Sequence, residues 1–384
     1  MMMSFKKLPY ILILLLAGCL QGNDFEPESF NLPEHSTLEA LEKFQISSPA
    51  EGAFFSHIRK IHVLSDKNLV VQNYPDHQLY ELTPKGALVG VIGRQGRGPG
   101  EFIQTYISHL APNDSLHVFD FNNSRHQVLT RGDSGRWHYA RESGFRRMAA
   151  EGLEQQIPDR VVHNTVGAPV GLFRIHPTAR DTLQGQYVYV SEVDLNMEHA
   201  GDVSRLRLAS DLAIHRGENN SMTIHNNHRF YRSFYTYRAD TDEVLLIQNT
   251  SNEIVSVDSS GKETVKGYLP YERFPKDRSK LNESLENVNY SYAGMEEIVR
   301  DKLLDHEPYY WNVILHENRL WVNLARSDSD SPNWIITDME GEILESFHGP
   351  EEISEVTIYE NRMYGSVRDS DGAVYLVGYV MTEK

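Results

Sequence analysis

KIHVLSDKNLVVQNYPDHQLYELTPKGALVGVIG, residues 60–93, reads as short apolar strands separated by polar turns and ending near a glycine. Asp66-Lys67-Asn68 makes the first turn, Leu69-Val70-Val71 the strand that follows, and Pro84-Lys85-Gly86 the hairpin turn into an outer strand. Branched apolar residues suit strands, and Asn, Asp and Gly suit turns because they accept a left-handed backbone. The pattern recurs in stretches beginning at Ser108, Tyr235, Asn312 and Glu355. Asn113-Asp114, Asp240-Thr241-Asp242, Glu317-Asn318 and Glu360-Asn361 take the first turn in these copies. Ser134-Gly135, Ser260-Gly261 and Glu340-Gly341 supply the later hairpin.

Repeats of about 40 residues with about four short strands are the signature of β-propeller blades. A divergent segment from Arg160 to Leu208, with strand-like LFRI, QYVYV and RLRL, supplies one more blade. The expectation is an all-β, six-bladed propeller over residues 41–384, with a seven-bladed ring as the structural rival. Two insertions are expected, one at Ser143–Pro158 and a helical one at about 271–308. In the second, Met295, Ile298, Leu303 and Leu304 give a partial apolar face. Leu41–Ile46 is expected to pair with the terminal blade, leaving no open sheet edge.

The first 22 residues, MMMSFKKLPYILILLLAGCLQG, place Lys6 and Lys7 before a short apolar run, Leu8–Leu16. That run falls short of the ~20 residues a membrane span needs and reads as an export signal. Leu16-Ala17-Gly18-Cys19 resembles the lipobox of bacterial lipoproteins. The resemblance implies a signal peptide over 1–18 and lipidation (palmitate) of Cys19, and the polar stretch that follows, with two prolines, makes 19–40 the lipidated residue and a flexible tether. Cys19 is the single cysteine of the chain, so its acylation leaves no thiol for catalysis, metal binding or a disulfide. The expected place is the bacterial cell envelope, at the outer membrane, on its periplasmic or surface face.

Val91-Ile92-Gly93-Arg94-Gln95-Gly96-Arg97-Gly98-Pro99-Gly100-Glu101-Phe102 is similar to the GPGEF connection between blades in NHL-type, TolB-like propellers. From about residue 40 the chain resembles the six-bladed propeller lipoproteins of Bacteroidota-like bacteria. In six-bladed lactonases and amidating lyases, channel-facing Glu, Asn, Asp or His hold a divalent metal that polarises a substrate oxygen. The resemblance therefore carries a metal-dependent hydrolase or lyase as the alternative to a noncatalytic binding module. One divalent ion such as Ca or Zn would sit on His62, His109 and Glu355. No cofactor is otherwise expected.

Other motifs have plainer readings. The glycine-rich run 93–100 is followed by Pro99 and a strand rather than a helix, and lacks Gly-Lys-Ser or Gly-Lys-Thr, so it reads as a turn. Arg131-Gly132-Asp133 falls in a hairpin turn. The pairs Asp240/Asp242, Asp328/Asp330 and Asp369/Asp371 read as turn chemistry, since each offers a fraction of the oxygens Ca²⁺ takes. His225 and His228 lack a helix to place them together, and no Gly-x-Ser-x-Gly elbow occurs.

Inner strands of a propeller line its channel, which makes Arg59, His62, His109, Tyr235, Tyr237, Asn312 and Glu355 the candidate channel residues. His62 and His109 are aligned with Val313 and Val356 of later blades. Tyr235 and Tyr237 belong to the densest aromatic and basic run, Phe230–Arg238. With 54 Asp and Glu against 37 Lys and Arg, the net charge is −17, which disfavours nucleic acid as a partner. The expected partners are the membrane, through the anchor, and an envelope protein, peptide or glycan, with the protein itself a monomer.

Overall fold

The computed structural model describes residues 36–44, 55–74, 77–111, 113–120, 123–132, 134–144, 156–164, 168–175, 186–194, 200, 204–208, 212–216, 222–226, 233–248, 251–270, 310–325, 332–350 and 353–383. Within them lie six four-stranded antiparallel sheets, the blades of a propeller. Blade 1 runs Ile58–Val63, Leu69–Asn73, Leu79–Leu82 and Leu88–Ile92. Blade 2 runs Thr105–Leu110, Leu116–Asp120, Arg125–Arg131 and Trp137–Gly144. Blade 3 runs Gln156–His163, Pro169–Ile175, Gln186–Glu192 and Ser204–Leu208. Blade 4 runs Phe234–Arg238, Glu243–Ile247, Glu253–Val257 and Glu263–Tyr268. Blade 5 runs Tyr310–His316, Arg319–Leu324, Trp334–Thr337 and Ile343–Phe347.

Blade 6 takes three strands from the end of the chain, Ser354–Tyr359, Arg362–Arg368 and Val374–Glu383, and its outermost strand from Ser36–Phe44. The two outer strands are antiparallel, with Ser36 opposite Glu383 and Phe44 opposite Leu376. The closing strand thus begins earlier than Leu41 and takes in residues expected in the tether. Its alternation breaks at Ala40-Leu41, and a bulge between Ala40 and Glu42 absorbs the extra residue. The insertion expected at Ser143–Pro158 is shorter than that, because Ser143 and Gly144 end blade 2 and Gln156–Pro158 open blade 3. A two-stranded hairpin, Leu212–Arg216 with Met222–Asn226, lies between blades 3 and 4 and was not anticipated. The segment expected to be helical, 271–308, lies outside the described residues, as do Cys19, Asp133, His228, Asp328 and Asp330.

The hairpin glycines behave as the repeat requires. Gly86, Gly135, Gly261, Gly341 and Gly372 have φ of 81°, 75°, 80°, 93° and 86°. In the first turn, Asp114, Asp242 and Asn318 are left-handed as Asn and Asp readily are, but Lys67 and Glu360 hold the same conformation without that advantage.

Apolar clusters fill the gaps between blades. Leu64, Val70, Leu79, Ile92, Phe102, Leu116, Val118 and Leu129 join blades 1 and 2. Ile58, Ile61, Leu69, Val71, Tyr80, Tyr364 and Leu376 join blade 1 to blade 6 across the closure. Similar clusters join blades 3 and 4, 4 and 5, and 5 and 6. The glycine-rich connection is held by blade 2. Asp120 accepts from the amides of Ile103 and Gln104 at 2.8 and 3.1 Å, and Arg125 donates to the carbonyls of Arg97 and Glu101. Gln127 bonds the Gly100 amide and the Glu101 carbonyl, both at 2.8 Å. Gly93 sits at φ 73°, and a Cβ there would lie 2.3 Å from Phe102. The run is an interblade clamp in which the amides of Arg94, Gly96, Gly98 and Gly100 have protein partners.

Candidate functional site

Five of the six inner strands carry a bulge near their start. The register skips between Ile58 and Lys60, Thr105 and Ile107, Pro158 and Arg160, Tyr310 and Asn312, and Ser354 and Thr357. Blade 4 pairs from Phe234 without interruption. A bulge adds one residue and re-aims the side chains beyond it. Past three of these bulges a buried apolar residue follows, Ile61, Val161 and Val313, and in blade 6 the buried Val356 lies within the skip itself. The residue just before it in each blade, Lys60, Arg160, Asn312 or Glu355, lines the channel.

These four meet Phe234 and Thr236 of blade 4 and Thr357 of blade 6 around a cavity of about 270 Å³. Trp311 is the bulged residue of blade 5, lines the same cavity and stays 43% exposed. The Arg160 guanidinium donates to the Tyr235 carbonyl at 3.0 Å and lies 5.2 Å from the centre of that ring. Glu355 has φ 53°, in the left-handed region, and no hydrogen-bond or ion-pair partner among the described residues.

Of the residues singled out in the sequence, Asn312 and Glu355 line the cavity. Arg59 is a bulged residue whose guanidinium rests 4.9 Å from the Tyr74 ring centre. Tyr235 and Tyr237 do not face the channel, because both are buried in the cluster between blades 3 and 4. The Tyr237 hydroxyl bonds Asp242. The alignment of His62 and His109 with Val313 and Val356 shifts by one. The buried Val313 and Val356 correspond to Ile61, and Ile314 and Thr357 take the place of His62.

His62 is buried between blades 1 and 2. Its Nε2 lies 2.9 Å from the Ser108 hydroxyl, which donates to Gln72 at 2.7 Å, so Nε2 carries the proton. Burial first, and then Lys60, lower its pKa to about 3. His109 stacks on His163 at 5.7 Å and meets His117 at 6.2 Å. His117 Nδ1 and His126 Nε2 are 3.0 Å apart, and His126 stacks on Phe119. Burial and neighbouring imidazoles hold His109 well below the usual range, while burial above all lowers His117 to about 4 and His126 to about 3. Four imidazoles thus occupy the seam of blades 2 and 3. Neither His62 nor His109 joins Glu355 in the cavity lining, and among the described residues no three His, Cys, Asp or Glu side chains converge as metal ligands. The ligand set expected for Ca or Zn is not assembled.

Lys60, Arg160 and Trp311 were missed in the sequence. Their signal was the recurring inner-strand start, but a bulge leaves no residue type that marks it.

No family model matches the chain, and no curated protein matches it. Among solved structures, the chain is similar to an exported protein of Bacteroides fragilis described as putative, at 14% identity and TM-score 0.50, over 94% of this chain and 98% of that one. A member of the duf4221 family from Bacteroides vulgatus matches at 11% identity and TM-score 0.52, over 91% and 99%. The likeness is one of fold. A gluconolactonase of Xanthomonas campestris matches at 10% identity and TM-score 0.42, over 90% and 98%.

Proposed function

We propose that the protein is a lipid-anchored envelope protein whose propeller binds a ligand or protein partner at the channel cavity without transforming it. The observation that carries this reading is the cavity itself. Its wall is built from the inner strands of five blades and presents mainly polar, hydrogen-bonding groups together with an exposed aromatic face. The buried histidines that would make the site a metal centre are spent inside blade interfaces. The lipobox-like Leu16-Ala17-Gly18-Cys19 supports the anchor, and the exported protein of similar fold agrees with an envelope location.

Two measurements test the two halves. A photo-crosslinking residue at Trp311 in the membrane-bound protein is expected to give a discrete adduct. The same residue at exposed Val89, on the outer strand of blade 1, is expected to give none. Equal labelling at both positions would remove the cavity from the reading. Labelled palmitate is expected to enter the wild-type protein and not Cys19→Ala, which should leave the membrane fraction.

A further inference from the structure

The cavity holds polar groups that the protein itself leaves unbonded. Ser233, just ahead of blade 4, is 6% exposed, and its buried hydroxyl has no hydrogen-bond partner among the described residues. Thr236 of blade 4, Asn312 of blade 5 and Glu355 of blade 6 line the same wall, and their side chains likewise have no partner there. A polar group withdrawn from water and left unbonded costs free energy, so a cluster of them marks a place where a ligand supplies the bonds. Lys60 and Arg160 border the cavity as well, but both are engaged within the protein, Arg160 with the Tyr235 carbonyl and ring. Two bulges complete the wall. Trp311 is the bulged residue of blade 5 and stays 43% exposed, and Glu355 lies in the skip of blade 6. At φ 53°, Glu355 is the one left-handed non-glycine residue inside a strand among the described residues. A backbone held against its preference in this way is found where a side chain must be aimed.

The unbonded groups dictate what a ligand must carry. A carboxylate such as Glu355 only accepts hydrogen bonds, whereas the hydroxyls of Ser233 and Thr236 and the amide of Asn312 both donate and accept. An ammonium on the ligand only donates, and would leave the donors of those three groups idle. A ligand carboxylate only accepts, and would give Glu355 nothing. Hydroxyls do both, and several close together serve the whole set. Trp311 adds a second requirement, a flat apolar surface next to the polar groups. One face of a sugar ring is a patch of C–H bonds, slightly positive, that packs on the negative face of an indole while the hydroxyls at its edge stay free to bond. We infer that the cavity binds a neutral sugar ring, its C–H face on Trp311 and its hydroxyls on Glu355, Asn312, Ser233 and Thr236. The bond to the Glu355 carboxylate is charge-assisted and the strongest of these. A volume of about 270 Å³ lies at the small end of ligand pockets and suits one or two rings, free or at the end of a longer glycan. The inference rests on the cavity being the binding site, as proposed above.

Calorimetry on the full chain tests it, in a polyoxyethylene detergent because a glycoside detergent would compete. The probes are the methyl glycosides of glucose, galactose, mannose and N-acetylglucosamine and a disaccharide of each, with glucuronate and lysine amide as charged arms. At least one neutral glycoside is expected to bind, in the micromolar to millimolar range. Its affinity should barely change with added salt, since no ion pair forms. Trp311→Ala and Glu355→Gln should each weaken it about tenfold or more, and Trp311→Phe, which keeps a ring, should weaken it less. Melting temperatures check that all three variants fold as the wild type does. A disaccharide that binds more tightly than its methyl glycoside supports a glycan end as the ligand, and equal binding supports a free sugar. Sugar binding left unchanged by both Trp311→Ala and Glu355→Gln would overturn the inference. Binding of lysine amide or glucuronate with no neutral sugar bound would also overturn it while the cavity keeps its role. With no binding in any arm, a discrete adduct at Trp311 would overturn the sugar alone, and no adduct would remove both.

Discussion

Glu81 is 2% exposed, in a strand whose neighbours are all buried, and three donors converge on its carboxylate. Asn68 Nδ2 and Trp137 Nε1 donate at 2.8 and 2.7 Å, and the Arg131 guanidinium at 2.6 Å. Arg131 also reaches Asp66 at 2.5 Å, so the arginine of the Arg-Gly-Asp tripeptide is turned inward to fasten blade 2 onto blade 1. Removing one member of a buried ionic set strands the others. Glu81→Ala is expected to cost about 3 kcal/mol or more. Glu81→Gln should cost less, since its oxygen still accepts one bond. Urea unfolding of both variants reads the difference. Nothing in Leu79-Tyr80-Glu81-Leu82 marks the glutamate in the sequence, because its partners lie on other strands and in the next blade.

At the scale of elements, strands and turns were legible because their periodicity is local. Blades 1, 2, 4, 5 and 6 each repeat the same turn chemistry, and blade 3 was found by its apolar runs alone. The phase of the inner strands was not legible. Alternation fixes which side chains share a face only while the pairing is continuous, and a one-residue slip exchanges the faces. The bulge in five inner strands introduces that slip. Glu355 and Asn312 were therefore reached, while Tyr235 and Tyr237, in the blade without a bulge, were assigned to the wrong side. The closing strand carries its own prediction. Deleting 36–44 leaves Val374–Glu383 as an open edge, which is a template for pairing with other chains. Calorimetry is expected to show melting lowered by roughly 10 °C. Light scattering should show self-association that rises with concentration.

Across the whole molecule, five histidines with lowered pKa sit in the seams of blades 1 to 3 and are neutral at pH 7. In an unfolded chain each would titrate near 6.5. Below that pH the unfolded chain takes up protons that the folded one refuses, so stability falls as the medium is acidified. The contribution is complete above about pH 6.5 and is lost on the way down to the folded values, about 4 for His117 and about 3 for His62 and His126. These three rings together contribute a slope of about 4 kcal/mol per pH unit in that window. Melting temperature is expected to be flat between pH 7 and 8 and to drop steeply below 6. His126→Phe, whose ring can keep the stack on Phe119, removes one of the five and should make that drop about one fifth shallower. The ring closure also orders events in time. Ser36 pairs with Glu383, so the first of the described strands to emerge during synthesis or export has no partner until the end of the last one has followed. Every intervening blade can begin to assemble while blade 6 stays incomplete. An early strand of this kind spends the whole passage as an unmatched sticky end, and the cell must shield it for that interval.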